Sequence, residues 1–184
     1  MIENFSLCRL SGKRQEKLVD CLKRTYWICG ATAEIGIGSG GTSRAIALSN
    51  NNVPHWACDT FLGLVDVDKS IEQHLDNGRF KYARKETEER FEGISNIIVV
   101  EGYFPDSAPQ AMKDSIYKLV HIDVDTYQST RGAWEFFRSR MVKSGVIIID
   151  DALDNKCKGA MKFWNEVKDG LNYIENTPQV VVYL

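Results

Sequence analysis

Short apolar runs and longer amphipathic stretches alternate along the chain, which predicts strands and helices in turn. Seven runs have the length of strands, and in chain order they are "TAEIGI", "HWACD", "NIIVVEG", "KLVHIDVD", "GVIIIDD", "NYIEN" and "QVVVYL". The run "GVIIIDD" (145–151) is continuously apolar up to its acids, as expected for a strand buried at the centre of a parallel sheet. The last two runs are predicted to close the sheet.

Apolar residues at helical spacing fill the intervals between these strands. The predicted helices cover residues 13–28, 42–51, 84–94, 129–142 and about 157–171. Thr42 or Ser43 is expected to cap the second of them, and Ser129 or Thr130 the fourth. Residues 65–83 are polar and show no period, so we predict a loop that acts as a lid.

Strands that alternate with helices along the whole chain indicate an α/β fold with a doubly wound sheet. At 184 residues the chain has the size of one domain, so we expect residues 1–184 to form it, with an N-terminal helical segment over 1–30. In such sheets ligands bind in the crevice beyond the carboxyl ends of the strands. A glycine-rich turn follows the first predicted strand and acidic residues lie at the ends of several others, which indicates a binding site at these strand ends.

Composition and charge narrow the kind of partner. A hydrophobic share of 43% is enough for a buried core, and a net charge of −2 gives no reason to expect nucleic acid or an anionic membrane. The apolar runs are too short to span a bilayer, and the first 18 residues lack the apolar stretch of a secretory signal. The five cysteines never form a C-x-x-C pair, which favours free thiols in a reducing compartment. We therefore expect a cytoplasmic protein. The sequence leaves open whether it forms a homodimer.

A glycine-rich turn follows the first strand. Gly36, Gly38 and Gly41 satisfy the G-x-G-x-x-G pattern of a dinucleotide-binding turn, and the same stretch fits the acid-x-G-x-G turn that holds S-adenosylmethionine. Asp59 ends the next predicted strand, where an acid suits the ribose hydroxyls of either cofactor. A tight turn with no ligand is the simpler alternative. The turn and Asp59 together predict a nucleoside cofactor and leave its identity open.

Carboxylates around the predicted crevice favour one of the two cofactors. An anionic Glu34 before the turn would repel a pyrophosphate but interact favourably with the charged amino acid end of S-adenosylmethionine. Asp123 and Asp125 are two residues apart, so we expect them on one face of a strand. Asp150 and Asp151 lie at the tip of the neighbouring strand. So many negative charges need a cation, and oxygen ligands favour Mg²⁺; the alternative is that these acids cap helices or face solvent.

Five stretches together resemble the macrocin O-methyltransferase family, namely "EIGIGSGGTS", "CDTFLGL", "EGYFPDSAP", "HIDVDTYQST" and "GVIIIDDALDNKCKGA". Members of that family are Mg²⁺-dependent class I methyltransferases, which use S-adenosylmethionine to methylate sugar hydroxyls on macrolide antibiotics and related products. The resemblance implies a Rossmann-like sheet of seven strands, mostly parallel, whose last strand is antiparallel. It also implies that Asp123, Asp150 and Asp151 are the metal ligands.

The resemblance also implies a general base. The family places a histidine in the lid, and in this chain that position is His74, a side chain suited to take a hydroxyl proton near neutral pH. An exposed lid histidine without a role is the alternative. The predicted catalytic residues are His74 and Asp123, and the predicted cofactor-binding set is Glu34, Gly36, Gly38, Ser43, Asp59 and Thr60. Of the other histidines, His121 is expected to be structural and His55 to lie at the surface.

These features predict an enzyme that transfers a methyl group from S-adenosylmethionine, with the assistance of Mg²⁺, to a hydroxyl of a small acceptor. The resemblance makes that acceptor a sugar moiety of a natural product or glycan. Two other hypotheses stay open. One is an NAD-binding oxidoreductase domain on the same turn, which leaves the acid cluster unexplained. The other is a non-catalytic S-adenosylmethionine-binding protein of the same fold.

Overall fold

The computed structural model of the protein describes residues 8, 10, 12–176 and 178–184. In these residues seven strands form one sheet: β1 Ala31–Ile35, β2 His55–Asp59, β3 Ile97–Glu101, β4 Tyr117–Ile122, β5 Met141–Ile149, β6 Asn172–Asn176 and β7 Gln179–Tyr183. The helices in the same residues are α1 Lys13–Thr25, α2 Gly41–Ser49, α3 Arg84–Glu89, α4 Gln110–Lys113, α5 Tyr127–Arg138 and α6 Lys158–Val167. The short helix α4 was not predicted.

The strands lie in the order β3-β2-β1-β4-β5-β7-β6. The first five pair in parallel, whereas β7 lies between β5 and β6 and runs antiparallel to both. The strand order reverses between β1 and β4, which are neighbours in the sheet, and ligands of doubly wound sheets bind at such a point. The predicted seven-stranded, mostly parallel α/β sheet with an antiparallel last strand is confirmed.

One face of the sheet, which we call the apolar face, packs against α5 and α6. Its core is rich in large aromatic side chains, among them Trp134, Phe137, Phe163 and Trp164. Phe137 lies between two other rings, because its centroid is 5.4 Å from that of Phe104 and 4.8 Å from that of Tyr117. The apolar face therefore has the close packing of an ordinary hydrophobic core.

The opposite face, which we call the polar face, packs against α1 and α2. Its core is aliphatic and includes Leu18 and Ile46. The polar side chains buried on the strands beneath these helices include Thr32, Glu34, His55 and His121. His55 is fully buried, with Nδ1 at 2.9 Å from Thr32 Oγ1, so its predicted place at the surface is wrong. Burial lowers the pKa of His55 to about 3, which keeps this ring neutral.

Both predictions of helix caps are wrong for the same reason. Gly40, with a φ of 83°, precedes α2 as its N-cap, and the predicted cap Ser43 instead donates its hydroxyl to Glu34. Helix α5 begins two residues earlier than the predicted cap Ser129, whose hydroxyl donates to Asp66. These hydroxyls serve tertiary contacts, which local capping rules do not include.

The 65–83 loop contains no helix or strand, as predicted, but it is attached to the core by two carboxylates. Asp66 accepts hydrogen bonds from the hydroxyls of Tyr103, Thr126 and Ser129, each at 2.8 Å. Glu72 is fully buried and accepts the first backbone N–H of α5 at 2.7 Å. Whether the loop moves as a lid stays a prediction. Among the described residues, no helix combines the length and apolar character needed to cross a membrane.

The candidate active site

The carboxyl ends of β1, β2, β4 and β5 open into a cavity of about 300 Å³. Its lining includes Glu34, Gly36, Gly38, Asp59, Thr60, Asp123, Asp125, Asp150 and Asp151, together with Arg14 from α1 and Val65, Asp66, Phe80 and Tyr82 from the 65–83 loop. The structure therefore brings together most of the predicted site residues. The two that do not line the cavity are Ser43 and His74.

The glycine turn is held between two neighbouring strands by backbone contacts. The Gly36 amide donates to the carbonyl of Cys58 at 2.9 Å, and its φ is 84°. A Cβ at Gly36 would lie 1.9 Å from the carbonyl oxygen of Asp123, so no other residue fits there. Glycine at this position is thus required by the junction of β1 and β4 even without a ligand.

Asp59 connects the turn to the end of β2. Its Oδ2 accepts the backbone N–H of Gly38 at 2.9 Å, and its Oδ1 accepts that of Phe61 at 2.8 Å. Burial raises the pKa of Asp59, while these N–H donors lower it in part. Asp59 also lines the cavity, where its carboxylate oxygens can accept hydrogen bonds from hydroxyl groups. Thr60 donates its hydroxyl to the carbonyl of Gly63 at 2.8 Å and shapes the next turn.

Glu34 lies beneath the turn, and both of its carboxylate oxygens have protein partners. Its Oε2 accepts the hydroxyl of Ser43 at 2.5 Å, and its Oε1 lies 2.9 Å from Nδ1 of His121. Glu34 and His121 are register partners on β1 and β4. Ser43 thus acts on the site through Glu34, and direct contact of either residue with a cofactor stays a prediction.

Four aspartates surround the other end of the cavity. Strand β4 ends at Ile122, and Asp125 has a φ of 60°, so the expectation that Asp123 and Asp125 share one face of a strand is wrong. Both nevertheless line the cavity. Burial raises the pKa of Asp123 well above its usual value, and the charges of Asp150 and Asp125 raise it further. Full ionisation of the cluster is therefore costly unless a cation compensates its charge.

Arg14 on α1 supplies part of that positive charge. Its Nη1 donates to Oδ2 of Asp150 at 2.8 Å, and its Nη2 donates to Oδ1 of Asp151 at 2.6 Å. Burial lowers the pKa of Arg14, but the charges of Asp150, Asp151 and Asp123 raise it by more. This ion pair attaches the N-terminal helix to the site, and no pattern in the sequence indicated it.

The residues present fit a divalent cation as well. The ligand atoms of His121, Asp123 and Asp150 all lie within 4.8 Å of one another. Within the described residues, Oδ1 of Asp150 and Nε2 of His121 are buried and have no hydrogen-bond partner. An unpartnered carboxylate oxygen in a buried place is costly, and a cation would satisfy it.

Asp125 is a functional candidate that the sequence-based assignment of catalytic and metal residues did not include. It accepts the thiol proton of Cys157 at 3.3 Å, and burial raises the pKa of that thiol. Burial and the charge of Asp151 raise the pKa of Asp125 to about 6, within the range of a general base at neutral pH. The position of Asp125 at the end of "HIDVD" was the signal that could have found it. The sequence does not show that the backbone of Asp125 is left-handed, with a φ of 60°.

His74 lies outside the cavity. Its ring contacts the backbone carbonyl of Lys156 through Nε2, and its own carbonyl accepts a hydrogen bond from Arg79 at 3.0 Å. The buried Glu72, two residues before it, fixes this part of the loop against α5. A role for His74 as general base therefore requires the loop to rearrange, and it stays a prediction.

The whole arrangement matches a known family. A family model described as macrocin-O-methyltransferase (TylF) matches residues 4–184. The chain belongs to this family. Membership confirms the predicted O-methyltransferase class, and it gives no support to the NAD-dependent alternative. A relative from Streptomyces olivaceus, named 8-demethyl-8-(2,3-dimethoxy-alpha-L-rhamnosyl)-tetracenomycin-C 4'-O-methyltransferase, is 25% identical over 186 residues, covering 90% of this chain and 71% of the relative.

Solved structures agree with the family in fold. The O-methyltransferase NovP superposes with a TM-score of 0.76 at 21% identity, covering 93% of this chain and 79% of NovP. An O-methyltransferase from Bacillus cereus, solved in complex with SAH (S-adenosylhomocysteine), superposes with a TM-score of 0.64 at 13% identity, covering 100% of this chain and 86% of the other. The predicted Rossmann-like methyltransferase sheet is confirmed.

Proposed function

We propose that the protein transfers a methyl group from S-adenosylmethionine to a hydroxyl of a sugar-bearing acceptor, with the assistance of a divalent cation, for which the sequence predicts Mg²⁺. One observation carries the proposal: a single cavity contains the glycine turn with Asp59 at one end and the aspartate cluster at the other. Two substrates can therefore lie side by side in it. By its name, the relative from Streptomyces olivaceus methylates a rhamnosyl group, which supports a sugar acceptor.

The cofactor would lie over the glycine turn. Asp59 is fixed by two backbone N–H groups and lines the cavity, so its carboxylate would accept hydrogen bonds from the ribose hydroxyls. Glu34 and Ser43 would hold the turn from below, and Thr60 would shape the loop beside it. The SAH bound to the Bacillus cereus enzyme of the same fold supports this choice of cofactor.

The acceptor would lie at the aspartate end. Asp123 and Asp150, with Asp151 beside them, would hold the divalent cation, which supplies a Lewis acid that lowers the pKa of an acceptor hydroxyl. Methyl transfer needs no covalent intermediate on the protein, so the main task of these side chains is to align two substrates.

Two side chains are candidates for the base that accepts the hydroxyl proton. Asp125 lines the cavity and has a pKa of about 6, whereas His74 is supported by the family resemblance alone. If Asp125 is the base, Asp125→Asn should lower kcat about a hundredfold while His74→Ala changes it little. The reverse result would show that the loop moves and that His74 takes the proton.

Two measurements test the proposed function. In calorimetric titrations SAH should bind and NAD should not, and Asp59→Ala should weaken SAH binding without unfolding the protein. Incubation of the protein with S-adenosylmethionine labelled with ¹³C at the methyl group and with methyl α-L-rhamnopyranoside should yield a labelled methoxy signal by NMR. Tight NAD binding with no response to SAH would overturn the proposal.

We also propose a cytoplasmic location, because all five cysteines are free thiols, as a reducing compartment allows. The homodimer stays a prediction, and light scattering of the purified protein tests it.

A further inference from the structure

Two side chains beside the cavity are each fixed at one end and unpartnered at the other. His121 is fully buried, and its Nδ1 lies 2.9 Å from Oε1 of Glu34, whereas its Nε2 has no hydrogen-bond partner among the described residues. Asp150 is equally constrained, because Arg14 binds its Oδ2 at 2.8 Å while its buried Oδ1 has no partner. With Asp123, these side chains bring their ligand atoms within 4.8 Å of one another.

Glu34 determines which nitrogen of His121 carries the proton. An ionised carboxylate only accepts hydrogen bonds, so Nδ1 of His121 donates to it. Nε2 has no partner among the described residues, so it is the nitrogen left to bind a cation, and the ligand atoms of Asp123 and Asp150 lie within 4.8 Å of that of His121. Metal-binding histidines almost always donate their second N–H to a carboxylate or a carbonyl. The paired positions of β1 and β4 build this arrangement into the sheet.

We propose that His121 Nε2 is a direct ligand of the divalent cation, together with Asp123 and Asp150, and that Glu34 orients the ring. The inference rests on the proposed function for the presence of a cation in this cavity. One imidazole and two carboxylates favour Mn²⁺, Fe²⁺ or Co²⁺, whereas Mg²⁺ prefers a shell of oxygen atoms. His121 then has a functional role as well as a structural one, and Glu34 supports the cation through His121 as well as the turn through Ser43.

One other arrangement is compatible with the same two unpartnered atoms. If His121 carries protons on both nitrogens, Nε2–H can donate to Oδ1 of Asp150, and the cation then keeps oxygen ligands only. The two arrangements differ in a property that spectroscopy detects, because only a direct ligand gives strong coupling between the nitrogen nucleus and the unpaired electrons of the metal.

Mn²⁺ added to the purified full-length protein provides the test. Loss of the free Mn²⁺ signal in electron paramagnetic resonance measures affinity, and electron spin echo modulation measures nitrogen coupling. The wild-type protein should show coupling from one directly bound imidazole and should bind Mn²⁺ at least about tenfold more tightly than Mg²⁺. His121→Gln should abolish the coupling and weaken Mn²⁺ binding about tenfold or more.

The chain offers a matched control. His55 is buried on the same face and also has an unpartnered Nε2, but it lies outside the group of candidate ligands. His55→Gln should therefore keep both the coupling and the affinity, even where it lowers stability. Glu34→Gln should keep the coupling and weaken Mn²⁺ binding about tenfold, because the ring loses its orienting carboxylate.

A second measurement applies if His121→Gln does not fold. Wild-type protein labelled with ¹⁵N in histidine only should change its coupling pattern from ¹⁴N to ¹⁵N, and His55→Gln and His74→Gln should leave that pattern intact. Bound Mn²⁺ without direct nitrogen coupling, or no bound Mn²⁺, would overturn the inference. SAH titrated into the same samples separates the two proposals, because a protein that fails to bind SAH contradicts the proposed function whatever the cation result.

Discussion

The two faces of the sheet are built from the same strands, but one buries apolar side chains and the other also buries polar and charged ones. On the apolar face, alternate residues of β1, β4 and β5 meet aromatic side chains of α5 and α6, and the packing resembles that of any stable α/β domain. On the polar face, the same strands bury Glu34 and His121 beneath α1 and α2. Even a paired buried ion adds little net stability, because the cost of desolvation offsets most of the gain from pairing, so stability alone does not explain this pair.

The difference follows from what lies at the strand ends. Two polar pairs lie on neighbouring strands of this face, Thr32 with His55 and Glu34 with His121, and the ligand atoms of His121 and Asp150 lie within 4.8 Å of each other. Glu34 and Asp150 line the cavity, whereas the aromatic core of the apolar face contributes Phe104 to that lining but not Phe137 or Trp164. We infer that the apolar face supplies stability and that the polar face supports the chemistry, and each substitution below affects one face and leaves the other.

The largest effect is expected on the apolar face. Phe137→Ala removes a fully buried ring that contacts Phe104 and Tyr117 and should lower the free energy of unfolding by about 4 kcal/mol. Urea denaturation measures this loss. SAH affinity of the folded protein should stay within about twofold of wild type, since Phe137 itself does not line the cavity. A large loss of SAH affinity in protein that is still folded would show that the two faces are not separable.

The next largest effect is expected at the aspartate cluster that lines the cavity. Asp123→Asn should lower methyl transfer about a hundredfold or more, because one ligand of the cation is lost. It should also raise the melting temperature of the cation-free protein, since burial and neighbouring carboxylates hold the pKa of Asp123 well above its usual value. The exposed Asp169→Asn serves as the charge-matched control. A variant that loses stability but keeps activity would contradict the assignment.

A smaller effect is expected at the ion pair between α1 and the cluster. Arg14→Gln removes the counter-charge of Asp150 and Asp151 and should cost about 2 kcal/mol of stability in cation-free protein, between the values for exposed and buried pairs. Lys13→Gln makes the same charge change on an exposed neighbour in α1. Saturating Mn²⁺ should restore most of the loss in Arg14→Gln, and no restoration would mean that no cation binds beside Asp150.

The smallest effect is a dependence of stability on pH. The pKa of Asp125 is about 6 in the folded protein, against an ordinary value of 3.8. A carboxyl with a raised pKa contributes stability below its unfolded value, and that contribution is lost as the pH rises through the folded value. Between pH 4 and pH 7, the free energy of unfolding of the cation-free wild-type protein should therefore fall by about 1 kcal/mol more than that of the cation-free Asp125→Asn variant. Identical thermal melts of the two proteins across that range would argue against a raised pKa.

Much of the fold could be predicted from the sequence, because apolar runs and helical spacing carry it directly. The strand "HWACD" begins and ends where expected, and "NYIEN" and "QVVVYL" close the sheet as expected. The helices α1 and α3 begin where expected, but the starts of α2 and α5 were missed, because Ser43 and Ser129 use their hydroxyls in contacts with residues distant in sequence. Capping rules consider only the local chain.

The site could be predicted only in part, because some of its residues meet partners that are distant in sequence. Glycines and acids at strand ends identified the cavity, because the topology of a doubly wound sheet brings those ends together. Arg14 and His121 were missed as site residues, since nothing in "KRQEK" or "KLVHI" signals a partner across the sheet. His74, assigned from the resemblance, lies outside the cavity, and only a movement of the loop would bring it in.

The central claim is that one cavity holds the cofactor and the cation next to each other. A crystal of the protein grown with SAH and Mn²⁺, measured at a wavelength where Mn²⁺ scatters anomalously, tests it most directly. We predict one strong anomalous peak beside Asp123 and Asp150, with SAH between the glycine turn and Asp59. A Mn²⁺ peak away from these aspartates, or SAH bound outside this cavity, would contradict the account.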